Sequence, residues 1–314
     1  MSLITRADAV ALMPEEEMRT IFDSLGEESY ALRFMRRLRN MSTRQMKLNV
    51  MDSLATAYFV NGTEEHEDYE APNYKKTTKV SWKNKYIYPE EIAVIVPIPE
   101  DVIADSGYPI WPEVRKAVID AIRVRIDESI FFANAPFTWP DPIITGATAA
   151  GNVVAFGTEI DFADDVSNLM AVVEADGYDV TGFLSDVTMK HRLRTMRDTA
   201  GRPLLMQSMA QGTMDMLHGV GISYMKNGVF NTGSAVMIAG DFQQAVYSWR
   251  QDLTFKLLDQ AVIQDEQGAI LYNLAQQDMV AMRVVCRLGW QIPNPINRMN
   301  QVEADRYPFA IMTP

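Results

Sequence analysis

Two runs of opposite charge, close together in the chain, are the side chains best placed to do chemistry. Glu64, Glu65, Glu67, Asp68 and Glu70 make an acidic run, and Lys75, Lys76, Lys79, Lys83 and Lys85 a basic one. Their chemistry is electrostatic. They can neutralise each other across one loop or stay solvated. They can also meet complementary patches on other subunits, setting register more than raw affinity. A third charged group is Arg33, Arg36, Arg37 and Arg39. It reads either as the solvated face of a helix over Glu27–Asn40 or as a flexible arm pairing with acidic surface on a neighbour. The same arginines are candidates for a local DNA-facing patch.

Catalytic patterns are sparse. His66, His191 and His218 are far apart and share no ligand spacing. No serine lies in a G-x-S-x-G elbow, and no P-loop or dinucleotide fingerprint occurs. Gly219-Val220-Gly221 is only a two-glycine fragment. Asp164-Asp165 and Glu64-Glu65 resemble acidic metal ligands by composition, without the alternate spacing of a calcium loop. A carboxylate pair acting in hydrolysis is set by spacing in three dimensions, so an acidic metal-dependent hydrolase stays open as an alternative. Cys286, the one cysteine, excludes an intrachain disulfide and reads as a small core residue. No catalytic residue, metal ligand or cofactor is assigned.

The elements that position these charges are long. Val280, Met282, Val284, Cys286, Leu288 and Trp290 alternate with Arg283, Arg287 and Gln291, the signature of an extended strand. Lys79–Tyr88 alternates too, predicting Val80, Trp82, Tyr86 and Tyr88 on one face and Lys79, Lys83 and Lys85 on the other. Gln45–Met51 forms the opposing leg of a candidate hairpin, with Met46, Leu48 and Val50 on one face and Asn61-Gly62 as a turn signal. Pro112 and Glu113 start the strongest helix, Glu113–Ala133, with Val118, Ile122, Ile126 and Ile130 on one stripe and Asp127 placed elsewhere on the cylinder. Pro14 and the acids after it start an earlier helix that Gly26 stops.

Beyond these, Ile92–Ile98 reads as a strand, Gly146–Gly157 as a small-residue linker, and Asp161–Asp176 as a helix. Asp186 caps a helix over Val187–Met196, and Asp198–Pro203 is a turn. Met206, Met209, Met214 and Met216 make an adaptable packing stretch. Strands follow at Gly219–Tyr224, Ala235–Gly240, Ala245–Trp249 and Leu253–Leu258, and residues 293–314 read as a proline-punctuated tail. Long strands with one long helix suggest a plate-like subunit made to be tiled.

The chain has 314 residues and a formal net charge of −12. That length allows one large or two medium domains. The charge argues against nucleic acid as the main partner. No apolar run approaches a membrane span, and the N-terminus lacks a signal-peptide core, so no membrane is expected.

The ordered series resembles the major capsid proteins of tailed bacteriophages, whose fold is named after phage Hong Kong 97. Val80–Ser106 (VSWKNKYIYPEEIAVIVPIPEDVIADS) is similar to the return strand of the extended loop and the strand leading to the spine helix. Glu113–Ala133 (EVRKAVIDAIRVRIDESIFFA) is similar to the spine helix. Met189–Leu205, Gly233–Gln260 and Leu271–Trp290 are similar to axial-domain segments and the return to the peripheral domain, ending at Pro293-Asn294-Pro295. The resemblance implies an α+β, Hong Kong 97-like phage capsid fold. It would have an N-terminal arm (1–44), an extended β-hairpin loop (45–90), a peripheral domain with a long spine helix (91–159 and 276–314) and an axial domain (160–275).

The function it implies is self-assembly as pentamers and hexamers into the icosahedral head around phage double-stranded DNA, in the virion after assembly in the host cytoplasm. A portal protein, and a scaffolding or decoration protein, are implied partners. About forty residues precede the loop, so a separate scaffold or none is expected. Some relatives form a lysine–asparagine crosslink. Asn294, Asn297 and Asn300 match no motif for it, and no crosslink is assigned. The rival readings are the shell of a protein nanocompartment with the same fold, the hydrolase, and a small ring-forming tail or adaptor component.

Overall fold

The computed structural model describes residues 29–57, 77–105, 110–157, 162–195 and 215–314. The expected Pro14–Gly26 helix, the Asn61-Gly62 turn, the 198–203 turn and Met206, Met209 and Met214 lie outside them.

In chain order the first elements are α1 (Tyr30–Phe34), β1 (Arg36–Arg37), β2 (Met46–Ser53), β3 (Ser81–Ile87), β4 (Glu90–Pro99), α2 (Glu100–Asp105) and α3 (Ile110–Phe131). Next come α4 (Ile143–Ala149), β5 (Val153–Ala155), α5 (Phe162–Ala175), β6 (Gly182–Asp186), α6 (Met189–Thr195), β7 (Met216–Leu217), β8 (Val220–Met225) and β9 (Met237–Gly240). A 3-10 turn capped by Asp241 leads to β10 (Val246–Leu258), β11 (Val262–Gln264), β12 (Ile270–Asn273), β13 (Met279–Gln291) and β14 (Phe309–Thr313).

The first sheet has the order β1-β10-β13-β4. β13 is its spine, antiparallel to β10 on one side and β4 on the other. The alternation read from the sequence holds: Met282, Val284, Cys286, Leu288 and Trp290 are buried and Arg287 is exposed. α3, 22 residues and roughly 33 Å long, shares one core with this face through Val118, Ile122, Ile126 and Ile130. Pro97 is tolerated inside β4 because that strand is the sheet edge, where a missing N–H costs no ladder bond.

The second sheet has the order β5-β14-β9-β6-β8-β7. One face carries Leu184, Ile238, Phe309 and Ile311 into the first core. The other carries Phe183, Met237, Ala239, Ala310 and Met312 into a second core under α5, with Val166, Leu169 and Val173. A two-stranded sheet of β2 and β3 stands apart, its base resting on a small cluster of Met41, Ile87 and Val246.

Several expectations are corrected. Among the described residues, the helix expected over Glu27–Asn40 covers Tyr30–Phe34 and then stops, because the backbone turns extended and bonds the edge strand: Arg36 N to Ala245 O at 2.9 Å and Leu38 N to Tyr247 O at 2.8 Å. The Gly146–Gly157 linker is instead α4 followed by β5. Its small residues permit close packing: a Cβ on Gly146 would lie 2.4 Å from the Tyr307 hydroxyl. The two strands expected over 245–258 are one strand with register shifts around Gln251, carried across the irregularity by continuous β13. The tail at 293–314 ends in β14, buried between β5 and β9.

Candidate functional site

β2 and β3 pair antiparallel from Met46↔Ile87 to Ser53↔Ser81, and the register places Met51 opposite Trp82. The period of two gives the hairpin two faces. Trp82 is 62% exposed and Met51 37%, on the face turned away from the body. The two faces read from the sequence hold, and the lysine face is the one turned to the protein: Ile87 on that face is fully buried.

The inward lysines are engaged. Lys83 Nζ lies 2.7 Å from Asp52 Oδ1 and 3.3 Å from Glu303 Oε2. Lys85 Nζ lies 3.0 Å from Glu303 Oε1 and donates to the Ile292 carbonyl at 3.4 Å. The hydrogen bond from Lys85 holds the Glu303 carboxyl below its ordinary value, against a smaller opposing effect of burial. The hydrogen bond to Asp52, then that to Glu303, raises Lys83. Backbone contacts reinforce the junction: Ile296 N donates to Met51 O at 3.2 Å, Gln291 Nε2 to Tyr86 O at 3.2 Å, and Arg298 Nη2 to Ala55 O at 3.0 Å. Lys79 is exposed. Glu64, Glu65, Glu67, Asp68, Glu70, Lys75 and Lys76 lie outside the described residues.

The C-terminal segment that receives the hairpin is itself tied down. Arg306, 2% exposed, donates to Asn294 Oδ1 at 3.0 Å and to the Asn300 carbonyl at 2.7 Å. Asn300 Nδ2 donates to Asp176 Oδ1 and Asn297 Nδ2 to the Asp176 carbonyl. The side chains of Asn294, Asn297 and Asn300 are thus all bonded within the subunit.

The arginine group sits on an anchored segment. Arg33, Arg36, Arg37 and Arg39 are exposed, on α1, β1 and the strand-like run after them. Arg33 lies over the Phe34 ring and Arg37 Nη2 reaches Asn40 Oδ1 at 3.4 Å. The segment is held from below by Asp127 of α3, which the periodicity left off the buried stripe. Its carboxylate is 1% exposed and accepts from Ser29 Oγ at 2.8 Å, Ala31 N at 2.9 Å, Tyr30 N at 3.3 Å and Asn227 Nδ2 at 2.8 Å. Burial pushes the Asp127 carboxyl up, more than these donors pull it down. Ser29 also caps α1 by accepting from Leu32 N.

The catalytic fragments do not converge. His191 and His218 are exposed, and His66 lies outside the described residues. Asp164 is exposed, whereas Asp165 is buried and accepts from Gly157 N at 2.8 Å. Among the described residues no group of three or more His, Cys, Asp or Glu is placed to hold a metal ion, and no helix is long and apolar enough to cross a membrane. Cys286 is fully buried, its thiol pushed up to about 12 by desolvation.

Comparison with known proteins agrees over most of the chain. The family model described as "Phage capsid family" matches residues 10–297. A solved structure from Microbacterium phage Oxtober96 is similar at 35% identity, covering 100% of both chains with a TM-score of 0.78. One from Mycobacterium phage Adephagia is 26% identical over 100% of this chain and 98% of its own, TM-score 0.75. The structure described as "Capsid of native GTA particle computed with C5 symmetry" shares the fold at 15% identity, covering 89% and 88%, TM-score 0.62. No curated protein matches the chain.

Proposed function

Because the chain belongs to the phage capsid family and is a major capsid protein, a structural subunit of the virion's icosahedral shell, we propose that its hairpin is the element that joins copies. The observation that carries this reading is the two-faced hairpin. Its charged face is satisfied within the subunit, while Met51 and Trp82, cross-strand partners, stay 37% and 62% exposed. Apolar side chains left outward on a projecting element mark an interaction surface.

In this reading each hairpin lies over a neighbour, and many modest contacts add into a stable wall by multivalency. The interfaces are heterologous and their rotation closes into pentamers and hexamers. Glu64, Glu65, Glu67, Asp68 and Glu70, with Lys75, Lys76 and Lys79, supply electrostatic register between copies, while Lys83 and Lys85 hold the base of the loop. Arg33, Arg36, Arg37 and Arg39 form an exposed arm surface for a neighbour's acids or for packaged double-stranded DNA. A net charge of −12 keeps free subunits apart before assembly.

The proposed division is an arm at 1–44, a loop at 45–90, a peripheral domain at 91–159 with 276–314, and an axial domain at 160–275. Assembly takes place in the host cytoplasm with a portal protein, and with scaffolding or decoration proteins where the phage supplies them. The protein works by forming the wall, with no catalytic turnover.

Deleting Thr63–Asn73 tests the reading. The expected outcome by electron microscopy is loss of shells, with a subunit whose circular dichroism matches the parent. Shells of parental size from the deletion would refute it. Nucleic acid inside purified particles separates a phage head from a nanocompartment.

A further inference from the structure

We propose that Glu303 is the positioning residue for the hairpin: a salt-sensitive ionic clamp, Asp52–Lys83–Glu303–Lys85, fixes the angle at which the hairpin leaves the body. The inference deepens the function proposed above and rests on the hairpin being the joining element.

Four observations converge. First, Glu303 bridges two lysines of the same strand face, one through each carboxylate oxygen, at 3.3 and 3.0 Å. One carboxylate therefore fixes two points along β3, which resists rotation about a single contact. Second, Asp52 on the opposing strand lies 2.7 Å from Lys83, so both legs of the hairpin join the same cluster. Third, the cluster lies beside the Ile296 N–Met51 O bond, so charge and backbone pairing hold the same place. Fourth, Glu303 stands on a segment that cannot easily yield, since Arg306 and Asn294 tie that segment through buried hydrogen bonds.

The side chains also occupy a graded range of exposure. Lys83 is 56% exposed, Glu303 43% and Lys85 25%. Ions can reach the cluster. Partly exposed pairs are individually weak and respond to salt, yet a network on a fixed base holds one geometry in preference to others. Val50, Ile296, Gln301 and Arg306 line the remaining wall of the same small cleft. The hydrophobic contact beneath the hairpin is modest: Met41, Ile87 and Val246, with Leu38, Met46 and Leu48 packed against them. The clamp adds a charged constraint to that contact and to the hydrogen bonds at the junction.

The test is amide exchange on the unassembled full chain, read at Ile296 and across β2 and β3, with α3 as internal reference. Glu303→Gln should exchange about three- to tenfold faster at Ile296 and in the hairpin, with α3 unchanged. Raising salt from about 0.1 to about 1 M, which shortens the screening length from about 10 to about 3 Å, should speed the parent in the same residues and speed Glu303→Gln less, since only the Asp52–Lys83 pair is left in it to screen. The double variant Lys83→Met with Lys85→Met should speed exchange in the same residues, and adding Glu303→Gln to it should give no further increase. Parental exchange rates in Glu303→Gln, or a further increase in the triple variant, would overturn the clamp. Shell formation is scored separately. A loosened hairpin that still gives shells of parental size refutes the hairpin's role in joining copies and leaves the clamp supported.

Discussion

Asp127 shows how one buried carboxylate can organise two distant segments. It lies on α3, yet its donors come from Ser29, Tyr30 and Ala31 at the start of the described chain and from Asn227 beyond β8. An amide in its place keeps the shape but turns an N–H₂ group toward donors. Asp127→Asn is expected to cost about 1–3 kcal/mol, read as a lower urea midpoint with faster proteolysis near residue 30. The pH dependence has a definite sign. The folded-state carboxyl is raised above its ordinary value, so folding favours the protonated form. That contribution is fully present below the unfolded pKa and is lost as pH rises through the folded one. The stability difference between parent and Asp127→Asn should therefore shrink across that rise. A difference that grows instead would contradict the assignment.

At the next level of organisation, β13 works because one position carries no side chain. A Cβ on Gly289 would lie 2.5 Å from the Tyr88 carbonyl oxygen and 2.7 Å from Ile87 Cγ2. The close approach lets the chain leaving the hairpin cross β13 and enter β4. A methyl there meets backbone, which cannot move aside as a flexible side chain can. Gly289→Ala is expected to destabilise by about 1–3 kcal/mol in urea titration. An unchanged midpoint would mean that the crossing relaxes freely. α3 follows a simpler rule: its apolar stripe at every fourth position fills one side of the first core, and its charged side chains pair along the outside, as Arg125 does with Glu128 at 2.9 Å.

The assembled subunit is held as one body by the second sheet, which lies between the two cores. β14 makes this explicit. Phe309 and Ile311 belong to the first core, and Ala310 and Met312 to the second. Removing residues 309–314 takes apolar contacts from both cores at once and opens the edges of β5 and β9. The expected outcome is loss of the cooperative unfolding transition followed by circular dichroism, well beyond the effect of trimming an exposed end. A single transition at the parental midpoint would show that the cores are independent of this strand.

The sequence sufficed wherever a pattern was local. The period of two in β13 and the four-residue stripe of α3 depend on neighbours in the chain, whereas Asp186, expected to cap a helix from Val187, ends β6 and bonds Thr188 N in a turn before α6 starts at Met189. The resemblance to capsid proteins rested on the order of such segments, and family membership follows from the same order. Long-range pairing settled the rest. Alternation marks two faces of the Lys79–Tyr88 leg but not which one meets the body, and Glu303, more than two hundred residues away, draws the lysines inward. Asp127 reads only as a residue off the apolar stripe of its helix until Ser29 and Asn227 are brought to it, and the final residues read as a tail until β5 and β9 close around them. A charged side chain's burial and a strand's partner depend on which remote groups satisfy its hydrogen bonds, and chain spacing alone does not encode that.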